Sequence, residues 1–233
     1  MGRINYANIM AKYRAVNKGN VRLTQSTLFL TKPINATQTN YSFDVLETQT
    51  ATLQADEIRL NLNDEFIITT MGFYLVAEKY LDGTTPTGVK RLLTYAPFQL
   101  DGTEAAKVEN FYAGAFQIAV NNIVYLDKFD TRKSEYVPRT QDQNAYAAGT
   151  SSSAVNGLLN SNEFSKNGMF PVEPLLTLSG AKKNALTLQL PTSISPATFT
   201  VTDDAAKSNI WIVNRVSVLM RGLNAQNGAS FQS

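Results

Sequence analysis

Paired carboxylates are the residues of this chain whose types and spacing come closest to a catalytic arrangement. Two acids that flank one bond can act as general acid and base, as in glycoside hydrolysis. The candidate pairs are Asp56-Glu57, Asp64-Glu65, Asp127/Asp130 and Asp203-Asp204. They fall at predicted strand ends or turns, where acids ordinarily shape turns and face solvent. Adjacent acids on a strand also point to opposite faces, so we interpret these residues as solvated turn acids.

Two residue types that are common in catalytic and metal sites are absent from the sequence. The 233 residues include no histidine and no cysteine. The usual zinc ligands, thiol chemistry, disulfide bonds and a Ser-His-Asp or Cys-His arrangement are therefore excluded. A calcium loop at Asp127–Asp130 would lack further oxygen ligands, and the sequence has no glycine-rich phosphate loop. We predict a protein that is not an enzyme and has no catalytic residues, metal or cofactor.

The composition favours a β-rich protein that associates with copies of itself. Only 17% of the residues are charged, and the chain contains 12 Phe and 10 Tyr. Aromatic residues and the abundant threonine favour strands, and asparagine favours turns. Sparse charge suits a surface that is largely covered in an assembly.

The charge is distributed unevenly along the chain. Residues 1–43 contain six basic residues and no acid, whereas the rest holds 15 basic and 19 acidic residues. The residues expected to face a membrane or a neighbouring subunit are Arg3, Lys12, Arg14, Lys18 and Arg22. Such an arm indicates contact with an anionic surface at one end of the protein, but not specific nucleic-acid recognition.

The arm is predicted to contain a short helix over residues 4–16. Ile9, Tyr13 and Val16 share one helical face, which either packs under its own domain or lies on a membrane or neighbouring subunit. The opening stretch has no apolar run of signal-peptide or membrane-spanning length, so we expect synthesis in the cytoplasm of a host cell.

Short strands with polar connections follow the arm, a pattern typical of an all-β sandwich or barrel. A short helix is predicted at Thr103–Phe111, and a long loop at Gln141–Gly157. Strands are predicted at Val21–Thr31, Tyr41–Leu46, Ile58–Leu62, Phe66–Ala77, Val89–Leu100, Phe116–Val120, Ile123–Leu126, Ser134–Val137, Phe170–Leu178, Asn184–Leu190, Ala197–Val201, Ile210–Asn214 and Val216–Leu219.

An internal repeat predicts two similar β-domains. Phe98–Leu100 precedes Ala105-Ala106-Lys107 as Phe199–Val201 precedes Ala205-Ala206-Lys207, and Val120–Leu126 aligns with Val213–Leu219. A period near 100 residues suits two tandem domains rather than a solenoid. The predicted organisation is a basic helical arm (1–20), a first β-domain (21–128) and a second β-domain (129–233).

This order of elements resembles the double jelly-roll major capsid proteins of small, tailless, membrane-containing icosahedral bacteriophages (Finnlakevirus-like phages). The resemblance rests on the basic N-terminal helix and on two units that each carry a short helix before the last two strands. It implies two tandem eight-stranded jelly rolls, and trimers of pseudo-hexameric shape that build an icosahedral shell around an inner membrane and a genome.

The partners that the resemblance implies are the other two chains of a homotrimer, neighbouring capsomers, and penton and minor capsid proteins. Inner-membrane lipid could contact the arm, and the protein would reside in the virion capsid. Two alternatives remain open: a single-domain phage spike or decoration protein, and a carbohydrate-binding β-sandwich. The sugar-binding alternative needs exposed aromatics, whereas Trp211, the only tryptophan, is expected in the core.

Overall fold

A computed structural model gives the architecture of the chain. It describes residues 7–9, 11, 21–47, 57–81, 83–96, 100, 102–135, 168–203 and 207–229. Most of these residues lie in strands of two antiparallel sheets, which confirms the predicted all-β class. The strands are β1 Arg22–Pro33, β2 Asn40–Phe43, β3 Glu65–Tyr80, β4 Pro86–Leu93, β5 Ala115–Val120, β6 Ile123–Asp130, β7 Phe170–Ser179, β8 Asn184–Gln189, β9 Ala197–Asp203 and β10 Lys207–Gln226.

The larger sheet is built around two long antiparallel strands, β3 and β10. They pair from Glu65↔Ala225 to Tyr80↔Ile210. At one end β1 and β7 flank them, and at the other end β9 and β4 do. The order is therefore β1-β10-β3-β7 at one end and β9-β10-β3-β4 at the other.

The smaller sheet has the order β2-β8-β5-β6 and covers one face of the larger sheet. The space between them holds the main core, in which alternate residues of each strand point inward. Phe73 of β3 and Phe116 of β5 are both fully buried, and their ring centroids lie 4.7 Å apart. This aromatic contact joins the two sheets near the middle of the sandwich.

The segment 57–60 connects the edges of the two sheets along one side. Ile58 exchanges two backbone hydrogen bonds with Phe29 of β1, of 2.9 and 3.0 Å. Leu60 donates to the carbonyl of Val45 and accepts from the amide of Glu47, just beyond β2. The predicted strand Ile58–Leu62 is thus represented by two isolated bridges.

The helix predicted at Thr103–Phe111 is present. Helix α1 covers Gly102–Glu109 and a 3-10 helix continues over Asn110–Ala113. A further prediction is wrong: Ser134, expected in a strand, ends a 3-10 helix over Thr131–Ser134. Its hydroxyl accepts a hydrogen bond from the amide of Phe73, which fixes that turn against β3.

Two separate barrels over 21–128 and 129–233 are not confirmed, because strands from both predicted domains share both sheets. In the larger sheet β10, from the second half, lies between β1 and β3, from the first half. In the smaller sheet β8 lies between β2 and β5. The described strands form one sandwich.

The segments of the internal repeat adopt different structures. Val120–Leu126 forms the β5–β6 hairpin, with Asn121 and Asn122 at positive φ of 50° and 64°. Val213–Leu219 lies within the single strand β10, and Asn214 marks only a shift in register. The predicted second helix falls on Ala205–Lys207, of which Lys207 alone is described, at the start of β10.

Candidate assembly surfaces

Several of the carboxylates considered as catalytic pairs have structural partners. The Glu57 carboxylate accepts hydrogen bonds from the amide and hydroxyl of Thr31 and pairs with Arg59 at 2.9 Å. The Glu57 side chain is only 3% exposed, so its interpretation as a solvated turn acid is wrong. Asp56, its neighbour in the pair, lies outside the described residues.

In the second pair, Asp64 has a structural role. Asp64 accepts hydrogen bonds from the Asn224 side chain at 2.8 Å and from the Asn227 amide at 2.9 Å, which ties down the end of β10. Its neighbour Glu65 is 1% exposed, which again contradicts a solvated acid. Asp203 is the last residue of β9, and Asp204 lies outside the described residues.

Asp127 and Asp130, in the last pair, have separate partners. Asp130 caps the following 3-10 helix by accepting from the Arg132 amide, while Asp127 accepts from the Gln117 side chain at 3.1 Å. Within the described part of the chain, acidic residues form no group of three that could hold a metal ion.

Three tyrosines of the core have a pKa that burial raises. Burial raises the pKa of Tyr112 well above its ordinary value, and the nearby Glu135 carboxylate adds to that increase. Its hydroxyl donates to the carbonyl of Leu93 at 2.9 Å. Burial likewise raises the pKa of Tyr74 and Tyr41. These phenols are packed between elements and stabilise the fold as neutral groups.

The basic arm is described only in part. Ala7–Ile9 and Ala11 are helical, as predicted, while Arg3, Lys12, Arg14 and Lys18 lie outside the described residues. Arg22 is exposed at the start of β1 and opposite Gln226. Ile9 packs against a small cluster of Ile67, Leu223 and Ala225, together with Val21 and Leu23. At this point the arm covers the outer face of its own larger sheet.

Strand β6 carries an exposed apolar strip at the edge of the smaller sheet. Ile123, Val124 and Tyr125, which we call the β6 strip, are 60%, 48% and 56% exposed. Among the described strands β6 pairs only with β5, so none of these strands covers its other edge. Three consecutive exposed apolar residues on such an edge indicate a surface for contact with another protein chain.

A second apolar surface lies on the outer face of the larger sheet. It is an open groove of about 360 Å³, which we call the outer groove. Its lining comes from four neighbouring strands and the segment 57–60: Thr27, Phe29, Ile58, Val76, Lys90, Leu92 and Leu219. Ile58 at its margin is 50% exposed, and Lys90 is its single charged lining residue.

Neither surface was singled out from the sequence. Ile123–Tyr125 and Phe29 were assigned to strands, but their exposure depends on which strands become neighbours. The predicted burial of Trp211 is confirmed: it is 6% exposed and stacks on Phe199 with an angle of 10° between the rings.

Comparison of the chain with protein-family models, curated proteins and solved structures found no match. Among the helices in the described ranges, none is both long and apolar enough to cross a membrane.

Proposed function

We propose that this chain is a viral capsid protein, a subunit without enzymatic activity that associates with copies of itself to build a shell. The observation that carries the proposal is the strand order of the two sheets. The orders β1-β10-β3-β7 and β2-β8-β5-β6 correspond to one eight-stranded jelly roll, with β4 and β9 as additional strands. Viral capsids are a principal use of the jelly roll, alongside lectins and cupins.

The proposal assigns one jelly roll to each subunit. A pseudo-hexameric trimer needs two barrels from every chain, whereas the described strands supply one sandwich. The proposed partners are therefore neighbouring copies of the chain in a ring or shell. Penton and minor capsid proteins, and inner-membrane lipid at the arm, remain the further partners implied by the resemblance, and the virion capsid the proposed location.

Exposed apolar side chains support assembly rather than a solitary subunit. Besides the β6 strip, Leu81 and Val89 are 71% and 43% exposed in and beside the β3–β4 hairpin loop. Scattered single residues of this kind are normal, but clusters at sheet edges and loop ends mark contact surfaces. Low overall charge reduces repulsion between copies that lie side by side.

A phage decoration or spike protein is the second candidate. One sandwich per chain fits such a protein as well as it fits a capsid subunit, and the internal repeat no longer argues against it. The two differ in what the chain builds alone, because a decoration protein needs a preformed shell, whereas a capsid protein forms the shell.

The test is expression of the full chain alone, followed by light scattering at low and moderate salt and by negative-stain electron microscopy. The capsid proposal predicts closed particles, or rings that grow into particles with concentration. A small discrete oligomer without particles would favour the decoration protein. A monomer under all conditions would contradict both assignments.

The role of the arm needs a separate measurement. Deletion of residues 2–17 combined with liposome flotation tests contact with lipid, with substitution of exposed Lys128 and Lys133 by glutamine as a control for general charge. Lipid contact predicts that flotation is lost with the arm and retained in the control. Equal flotation of all three chains would argue against lipid as the partner of the arm.

A further inference from the structure

A shallow polar groove of about 130 Å³ lies on the outer face of the smaller sheet, away from the main core. Three neighbouring strands, β5, β6 and β8, contribute its lining: Ala115, Phe116, Gln117, Asp127, Lys128, Thr187 and Gln189. Thr187 lies opposite Gln117 in the pairing of β8 with β5. Because Phe116 and Leu188 are fully buried in the core, the alternation of side chains points Gln117, Thr187 and Gln189 outward. Polar side chains from separate strands therefore converge on one place.

A β-bulge in β6 supplies both charged residues of the groove. The register of β6 against β5 shifts beside Gln117, where β6 has two residues, Asp127 and Lys128, opposite one. Bulges re-aim side chains and are common next to functional sites. Lys128 has a φ of 47°, in the left-handed region that favours glycine. A lysine at such a position gives up backbone stability, which indicates a use for its ammonium group.

The polar groups of the groove have hydrogen-bonding capacity to spare. Asp127 accepts one side-chain hydrogen bond, from the Gln117 amide at 3.1 Å. In the part of the chain that the structure describes, the side chains of Lys128, Thr187 and Gln189 form no hydrogen bond or ion pair with another residue. The groove thus offers carboxylate and amide oxygens as acceptors, and an ammonium, amide N–H groups and a hydroxyl as donors.

This combination of groups disfavours most classes of ligand. Asp127 repels an anion and Lys128 repels a cation, and together they give the groove no net charge. An apolar ligand would remove water from the polar side chains without replacing their hydrogen bonds. A neutral ligand with several hydroxyl groups can donate to the carboxylate and accept from the ammonium and the amides. Saccharides have this chemistry, and the jelly roll also serves as a lectin domain.

We propose that the groove binds one sugar ring of a neutral glycan. One hydroxyl of the ring donates to the Asp127 carboxylate, and other hydroxyl oxygens accept from the Lys128 ammonium and the Gln189 amide. The Gln117 amide holds the carboxylate in place for this contact. The volume equals that of about four water molecules, so one edge of the ring enters the groove and the rest stays in solvent. The inference does not depend on the capsid proposal, because it concerns a ligand site and not a contact between subunits.

Saturation-transfer NMR of the full chain tests the site. The neutral probes are short oligomers of glucose, mannose, galactose and N-acetylglucosamine, and inorganic phosphate is the anionic probe. We expect saturation transfer to at least one neutral oligomer, with no displacement by phosphate. Absence of transfer to every neutral oligomer would overturn the proposal, and so would displacement of the bound sugar by phosphate.

Lys128→Gly separates a role in sugar binding from a role in folding. Glycine relieves the positive φ, so the variant should melt at the same temperature as the natural chain or higher. It should nevertheless bind the sugar about tenfold more weakly, because one hydrogen bond to a charged group is lost. The matched control is Asn122→Gly, at an exposed residue of the β5–β6 turn with a φ of 64°, outside the groove. Equal affinities of the two variants would overturn the proposal.

Asp127→Asn tests the carboxylate at nearly constant size. The asparagine oxygen can still accept from Gln117, so we expect an unchanged melting temperature and about tenfold weaker sugar binding. Gln189→Ala removes a neutral amide from an exposed position and should weaken binding about threefold. If both variants bind the sugar like the natural chain, the sugar binds elsewhere and the proposed site is refuted.

Particle formation by the natural chain is scored in parallel. Particles without sugar binding would refute this site and leave the capsid proposal standing. Sugar binding that the variants weaken, without particles at any concentration, would support the site and contradict the capsid proposal.

Discussion

Replacement of Phe116 by alanine tests whether the two halves of the chain fold as one unit. Phe116 belongs to the first half and to the smaller sheet, and its side chain is fully buried. Its ring packs edge-on against Phe73 of the larger sheet, at 4.7 Å and 60°, and lies 6.4 Å from the ring of Phe43. The substitution therefore removes a contact on which the packing of both sheets depends.

The expected loss of stability is large. Truncation of a buried phenylalanine to alanine costs about 3–5 kcal/mol, because transfer energy is lost and a cavity remains. For a domain of 150–250 residues, each 1 kcal/mol lowers the melting temperature by about 2–4 °C, so we expect a decrease of about 6–20 °C. Phe116→Leu, which keeps most of the apolar volume, should give a smaller decrease and serves if the alanine variant does not fold.

The fluorescence of Trp211 makes the measurement selective. Trp211 is the only tryptophan, lies in the second half on β10, and stacks on Phe199. Because β10 and β5 belong to one sandwich, the Trp211 transition and the far-UV circular dichroism transition should coincide and move together in the variant. An unshifted Trp211 transition beside a shifted circular dichroism transition would refute the single sandwich and restore two independent domains.

Three further predictions concern single residues of the sandwich. Gly222→Ala should lower the free energy of unfolding, measured in urea, by about 1–3 kcal/mol, because an added Cβ would lie 1.9 Å from the Ile67 carbonyl oxygen. The control Gly102→Ala should be neutral or stabilising, since nothing lies within 4 Å of its added Cβ. Glu57→Gln should cost about 3–5 kcal/mol by leaving the buried Arg59 without its counter-charge, and a loss below 1 kcal/mol would contradict that role. The free energy of unfolding should fall as pH rises above 10, the ordinary tyrosine pKa, because the Tyr112 phenol ionises in the unfolded chain while burial keeps it protonated in the folded one. Tyr112→Phe should flatten that fall, and an unchanged slope between pH 9 and 11 would count against this account.

The sequence allowed most of the strands and the helix α1 to be located, because local patterns determine them. Local runs of strand-forming residues predicted β1, β3, β5 and β8 to within a few residues. The gap between the predicted strands Phe116–Val120 and Ile123–Leu126 coincides with the β5–β6 turn at Asn121 and Asn122. The same local patterns predicted two strands, Ile210–Asn214 and Val216–Leu219, where the structure has the single strand β10. In the structure β10 continues past Asn214 because β3 pairs with it on both sides of the register shift.

The pairing of strands could not be predicted from local patterns. Between β2 and β5 lie 71 residues, and between β2 and β8 lie 140, yet β8 pairs with both. The similarity of Val120–Leu126 to Val213–Leu219 suggested equivalent positions in two barrels. Val120–Leu126 forms a hairpin, whereas Val213–Leu219 lies inside a single long strand. Similar residues therefore pack against different neighbouring strands, and the pattern of apolar residues alone does not distinguish a hairpin from a continuous strand.

The candidate surfaces follow from the unequal lengths of the strands. Strands β3 and β10 have 16 and 20 residues, whereas the strands β2, β8 and β5 of the smaller sheet have only 4 to 6. The smaller sheet covers one face of the larger sheet, and on the other face Ile9 covers only one cluster. The outer groove lies on that second face, where apolar residues such as Phe29 and Val76 belong to neither hydrophobic cluster. Phe29 and Val76 are only 9% and 1% exposed, so the chain itself already covers the deepest part of the groove, and the exposed apolar surface there belongs mainly to Ile58 at the margin.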